Sequence, residues 1–151
     1  MQIKLAAATL AALSLAASAH AREAADPARN KALVEHFVVE VFHDRDVDAA
    51  DKYLAADYKP NAPGVAPGLE GFKSSLRAWF AKVPISLHEE IVSTVAEGDY
   101  VVVYQHVWGV HPKTGKPFST AGFDLFRVQG GKIVEHWDAE SFNDAAPPVG
   151  V

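Results

Sequence analysis

The run Phe123-Asp124-Leu125-Phe126-Arg127-Val128-Gln129-Gly130-Gly131-Lys132-Ile133-Val134-Glu135-His136-Trp137-Asp138 constrains the chain more than any other. It spells strand, tight turn, strand. Phe123, Leu125, Phe126 and Val128 make the first strand apolar, Gly130-Gly131 supplies the positive φ that a two-residue hairpin turn requires, and Ile133, Val134 and Trp137 resume the apolar run. Set among these residues are Asp124, His136 and Asp138, three groups that exchange protons. A carboxylate among mid-strand aromatics is costly to desolvate, so it either turns to solvent or is retained for chemistry.

The rest of the chain supplies what this hairpin packs against. Lys4, an apolar stretch from Leu5 to Ala19, and Ala19-His20-Ala21 have the form of a secretory leader cut after Ala21. Its apolar run of about 15 residues falls short of the ~20 that a membrane span needs. The expected organisation is therefore a leader at 1–21, one domain at 22–143 and a tail at 144–151, with a periplasmic or secreted destination. A domain of this size buries roughly two-thirds of its unfolded surface in one core. The sequence contains no Cys, so packing rather than disulfides must stabilise it, and its net charge of −5 without a Lys/Arg cluster argues against nucleic acid and anionic membranes as partners.

Asp26-Pro27 caps a first helix whose Leu33, Val34, Phe37, Val38, Val41 and Phe42 form one apolar face. Asp44-Arg45-Asp46 breaks it, and a short second helix is expected from about Asp48 to Ala56. Tyr58 to Gly68, with three prolines and two glycines, reads as a loop with extended pieces, of a length that often serves as a lid or binding loop. A third helix is expected from Leu69 to Lys82, with Leu69, Phe72, Leu76, Trp79 and Phe80 inward. From Ile85 the period becomes two. Strands are expected over 85–96 (bulged at Glu89-Glu90), 100–111, 118–128 and 132–142. Helices followed by strands define an α+β domain with helices on one face of a curved, mainly antiparallel sheet of four or more strands. Such a sheet curls into a cone whose mouth is a natural pocket.

Asp124 shares its strand face with Phe118, Thr120, Gly122, Phe126 and Val128, surroundings that suit a general acid/base. If the turn at 112–116 centres on Gly115, His106 lies directly opposite Asp124 as an imidazole–carboxylate pair, but a one-residue change of register puts them on opposite faces. His136 and Asp138 read as a solvated outer face or as the completion of a polar cluster. His88, Glu89 and Glu90 read as solvated positions. His36 and His43 are seven apart on the first helix, but no carboxylate joins them at metal spacing. No phosphate-cradling glycine pattern, no Gly-x-Ser-x-Gly and no Cys is present. Neither a cofactor nor a metal is expected.

The hairpin from Asp124 to Asp138 closely resembles that of SnoaL-like proteins, a branch of the nuclear transport factor 2-like superfamily. The turn Ala96-Glu97-Gly98-Asp99-Tyr100-Val101 and the helical start resemble it too, over about Asn30 to Phe142. The resemblance implies a cone-shaped α+β fold, dimerisation through the sheet, and ring closure by intramolecular aldol condensation with an Asp as acid/base. Asp124 matches that Asp, and His106 matches a pocket histidine. Many members carry Tyr-x-Gln-His-Asn-Pro after the second helix, where this chain has Tyr58-Lys59-Pro60-Asn61-Ala62-Pro63, so Pro60 replaces a His. The expected function is cofactor-free acid/base catalysis (cyclase or isomerase type) on a small apolar carbonyl compound. Asp124 and His106 are its expected catalytic residues, with Tyr53, Tyr58, Asn61, Trp79, Tyr104, Trp108, Phe126, His136 and Asp138 lining the pocket. The alternative is a non-catalytic binding protein or dimeric partner subunit of the same fold.

Overall fold

The computed structural model describes residues 25–82, 88–110 and 115–138. Three helices, α1 (Pro27–Phe37), α2 (Ala50–Tyr53) and α3 (Leu69–Phe80), pack on one face of a curved five-stranded sheet. Its strands are β1 (Leu54–Pro60), β2 (His88–Glu97), β3 (Tyr100–Val110), β4 (Pro117–Gln129) and β5 (Lys132–Trp137), in the order β1-β5-β4-β3-β2. The expected leader, the strand segment 85–87, the turn over 112–114, residues 139–142 and the tail at 144–151 lie outside the described residues.

Asp26 caps α1 by accepting a hydrogen bond from the Arg29 amide at 3.1 Å, and Pro27 occupies the first helical position. Val34, Phe37, Val38 and Val41 are buried as the periodicity requires. The helix then widens into a π turn, Val38–His43, in which the Asp44 amide reaches back to the Val39 carbonyl at 2.9 Å. Single π turns of this kind recur at functional sites. Phe37 lies at the centre of the core, with the rings of Phe42, Tyr53, Phe72 and Phe126 all within 6.1 Å. Each such fully buried side chain contributes about 1.5–3 kcal/mol through its removal from water. Lys73, itself buried, ties α3 to α2 and the turn that leads into it through Asp51 (2.8 Å) and Asp48 (3.2 Å).

The second helix is shorter than its sequence suggests, because Leu54–Pro60 is a strand. It runs parallel to β5, with Leu54 opposite Ile133 and Pro60 opposite His136. A parallel edge strand has no hairpin turn to announce it, and Pro60 is tolerated at the end of an edge. Only the segment after Pro60 is a loop. It is fastened by the Asn61 amide to the His136 carbonyl (2.8 Å), the Gly68 amide to the Tyr58 carbonyl (2.7 Å) and the Ala66 amide to Ser75 Oγ (3.0 Å). Gly71 lets α3 approach this loop: a Cβ there would stand 2.8 Å from the Ala66 carbonyl oxygen.

Two bulges decide which side chains face the helices. In β2 the alternation slips at Val92, not at Glu89-Glu90: Ile91 pairs with Gln105 and Ser93 with Tyr104. In β5 it slips at Val134: Val128 pairs with Ile133 and Arg127 with Glu135. One extra residue reverses facing for everything beyond it. Glu89 therefore joins Ile91 and the later Thr94 on the concave side. His136 likewise joins Ile133 there, although plain alternation would place the two on opposite faces.

The β3–β4 register corrects another expectation. Val103, not His106, faces Asp124, and His106 pairs with Ala121. Pairing ends at Val110 opposite Pro117, so the connection centres before Gly115. The offset is an odd number of residues, which sends His106 to the opposite face from Asp124.

Candidate active site

The concave face of β3, β4 and β5, the π turn after α1, α3 and the loop at 61–68 enclose a cavity of about 400 Å³. Asp124, Gln105, His136, Asp138 and Glu89 bring polar groups to it; Val38, Phe42, Tyr58, Phe72, Leu76, Trp79 and Phe126 supply most of the apolar wall. An apolar enclosure with a few convergent polar groups is the usual form of a small-molecule site.

Asp124 organises the polar end. Its Oδ2 accepts a hydrogen bond from Gln105 Nε2 at 2.7 Å, and its Oδ1 lies 2.9 Å from His136 Nε2. Their side chains are 18% and 11% exposed, so the pair is shielded without being sealed. The His136 ring stacks on Phe126, with centroids 4.5 Å apart and planes 10° from parallel. With its proton on Nε2, His136 donates to the carboxylate; with both nitrogens protonated, it neutralises it. Two side-chain donors leave the carboxylate with spare lone pairs for a substrate proton.

Tyr58 is buried, and its hydroxyl has no hydrogen-bond partner among the described residues. Burial foremost, then the negative charges of Asp124 and Asp138, push the phenol far above its ordinary range. It stays protonated and is an unused donor in the wall of an apolar cavity. Glu89 is the opposite case, an acid whose charge is disfavoured. Burial, reinforced by Asp124 and opposed by Arg45, raises its pKa.

A folded-state pKa raised above the unfolded value favours folding at low pH, and this advantage is lost as pH rises through the folded value. Glu89→Gln removes the group that becomes costly. The variant is expected to match the native protein in thermal stability near pH 4 and to exceed it by about 2–6 °C at pH 8. Calorimetry across that range checks this; a variant less stable at pH 8 contradicts it.

Of the residues selected from sequence, Asp124, Tyr58, Trp79, Phe126, His136 and Asp138 meet at this cavity. The others do not. His106 is turned away, with Nε2 2.8 Å from Ser119 Oγ and its ring stacked on Trp108. Tyr104 stacks on Phe123 outside the cavity at 4.9 Å. Tyr53 packs in the core and donates to Glu40 Oε1 at 2.6 Å; burial and that carboxylate push its pKa up to about 12. Asn61 braces β5 instead, donating to the His136 carbonyl (3.1 Å) and to Glu135 (3.2 Å). Burial opposes the charge on Glu135, but Lys59, Arg127 and Asn61 outweigh it and hold its pKa low. Trp108 lines a second cavity, of about 340 Å³, which shares Phe42, Trp79 and Glu89 with the first. Gln105 and Glu89 belong to the site although the sequence reading did not select them. Gln105 had a signal: it follows Val101 and Val103 on the apolar parity of β3. Among the described residues no group of three or more His, Asp or Glu is arranged to hold a metal ion.

This architecture, a cone of helices on a curved open sheet with an acidic pocket, is that of the nuclear transport factor 2-like fold. Residues 32–145 match the SnoaL-like polyketide cyclase family, and the chain belongs to that family. No curated protein matches the sequence with significance. Among solved structures, TsrD from Streptomyces laurentii is 29% identical with a TM-score of 0.63, over 75% of this chain and 88% of that one. IdmH from Streptomyces antibioticus, itself proposed to be a polyketide cyclase, is 25% identical with a TM-score of 0.60, over 72% and 89%. A proposed SnoaL-like cyclase from a Jannaschia species shares the fold at 20% identity and a TM-score of 0.62, over 81% and 95%. Pro60 borders the cavity and pairs with His136, whose ring brings an imidazole to Asp124.

Proposed function

We propose that the protein is an acid/base enzyme that enolises a small apolar carbonyl compound, leading to aldol cyclisation or isomerisation. The observation that carries this reading is the Asp124 carboxylate, set in an apolar cavity and held by Gln105 and His136. Asp124 takes a proton from the carbon next to the carbonyl. The electron pair moves to the carbonyl oxygen, where Tyr58 donates a hydrogen bond to the forming enolate. In an aldol closure the enolate carbon then bonds to a second carbonyl carbon. The resulting alkoxide recovers the proton from Asp124, so the base is regenerated. His136 orients the carboxylate and adjusts its charge.

Deuterium exchange into the α-positions of 2-tetralone, followed by proton NMR in D2O, tests this. The expected result is exchange faster than buffer, saturating with ketone concentration. Binding without any acceleration favours the second reading, a carrier of apolar ligands, which draws support from Pro60 at the position of the family's His.

Two further parts of the reading concern the protein's surroundings. Val102 and Phe123, 40% and 47% exposed, pair strands on the sheet face away from the cavity, and we propose that a second copy covers them. Phe123→Glu is expected to turn a dimer into a monomer in light scattering; a native protein that is already monomeric contradicts the pairing. The apolar leader at 1–21 supports export, and the mass of the mature N-terminus tests it.

A further inference from the structure

His43 takes no part in the steps above. It closes the π turn Val38–His43 and borders the second cavity, while its imidazole contacts Gln105. His43 Nε2 is buried and makes no regular hydrogen bond within the described residues, and the same holds for Gln105 Oε1. These two orphans are complementary. A neutral imidazole can donate from Nε2, and an amide oxygen can accept. Leaving both unmet would cost about 1–3 kcal/mol for each.

The other end of Gln105 shows what depends on this contact. Its Nε2 donates to Asp124 Oδ2 at 2.7 Å. An amide has nearly the same shape either way round, so packing alone does not choose its orientation. Turned over, it would set its oxygen against the carboxylate, acceptor against acceptor. Asp124 would then keep only His136 as a side-chain donor.

We propose that His43 is a positioning residue: its Nε2–H holds the Gln105 oxygen and so fixes the amide with its NH2 on Asp124. The inference rests on the reading of Asp124 as the base and extends its support by one residue beyond Gln105, to the π turn that follows α1. Burial, opposed by Asp44 and Gln105, lowers the His43 pKa, in keeping with a neutral donor. The charged or titratable groups around it are Asp44 and Arg45 on its own segment, His88 and Glu89 from β2 across the second cavity, and Asp124 with His136 beyond Gln105. The π turn has a role in this arrangement, because widening the helix by one residue changes the direction in which its last side chain points.

The test compares His43→Leu, which removes the donor, with His43→Gln, which carries an amide N–H to a similar distance. The side-chain amide of Gln105 is followed by 15N NMR, and α-hydrogen exchange of 2-tetralone by kcat and KM. With Leu, the Gln105 amide signal is expected to broaden or double, and kcat to fall about 10–100-fold with KM little changed. With Gln, a single amide signal and most of kcat should return. In a Gln105→Leu background, His43→Leu should cost nothing further, since the two act as one unit. Should the Leu variant fold poorly, His43→Asn, too short to reach Gln105, takes its place. An unaltered Gln105 signal after loss of the imidazole overturns the inference whatever the activity. A disturbed signal in a protein without exchange activity leaves the positioning intact and overturns the enzyme reading instead.

Discussion

Replacing Asp124 by Asn is expected to lower α-hydrogen exchange by about 10²–10⁴-fold, the usual contribution of a positioned acid/base group. The amide has the shape of the carboxylate and can still accept from one neighbour, so the cavity should keep its form. It has no lone pair basic enough to take a proton from carbon. It also brings an NH2 toward either Gln105 Nε2, which donates to Asp124, or His136 Nε2, which can accept in the tautomer protonated at Nδ1. With its oxygen toward Gln105 and its NH2 toward His136, the amide is satisfied once the His136 proton moves to Nδ1, so the loss of stability should stay within about 1–3 kcal/mol. Kinetics and calorimetry on one preparation separate the two effects. Exchange within threefold of the native rate would move the base to another residue.

The second large effect is expected at Tyr58, where stability and activity should diverge. Tyr58→Phe removes a hydroxyl that is buried and unpaired among the described residues. Deleting an unsatisfied polar atom and keeping the ring is neutral or stabilising, by up to about 1–3 kcal/mol. The same hydroxyl is the donor assigned to the enolate oxygen, and losing one such donor typically costs about 10²–10³-fold in turnover. A variant that is at least as stable and far slower would show that the hydroxyl is retained for chemistry. One that is destabilised and equally fast would make Tyr58 a structural residue with a partner formed in solution. KM should change less than kcat, because the hydrogen bond strengthens as charge develops on the oxygen.

The sequence made some features of this molecule legible and hid others, and the dividing line is the β-bulge. Local signals carried far: the Asp26-Pro27 cap, the apolar face of α1, and the Gly130-Gly131 turn are all present, with φ of 56° and 72° at the two glycines. Asp124 could be placed facing the core because β4 alternates without interruption from Pro117 to Arg127. Facing elsewhere turned on single unpaired residues. The bulges at Val92 and Val134 bring Glu89 and His136 to the cavity, and no residue type marks either position, since valine is an ordinary strand former. His106 failed for a related reason. Its pairing with Asp124 depended on the length of one connection, and the register that forms is offset by an odd number of residues. Strand β1 was hidden because parallel pairing is a long-range event, set by packing against β5 rather than by a turn of its own.

Family membership and cone geometry support a function of the cyclase or isomerase type, and the acid/base chemistry proposed for it takes its particular form from the side chains at the cavity's polar end. Asp124 has Gln105 as a donor and His136 at hydrogen-bond distance on neighbouring strands, and in the proposed reaction Tyr58 is a further donor, to the substrate. An arrangement of this kind should bind the enolised form better than the ketone, which is what accelerates a proton transfer from carbon.

The most direct measurement is the affinity of the native protein for 2-naphthol, a planar mimic of an enol, relative to 2-tetralone, its ketone counterpart, by titration calorimetry at one pH. The account predicts that the naphthol binds at least about tenfold tighter, a difference of about 1.4 kcal/mol, and that Tyr58→Phe erases most of it. Equal affinities for the two compounds would mean a cavity shaped for apolar bulk alone, and would contradict the assignment of Asp124 and Tyr58 to enolate chemistry.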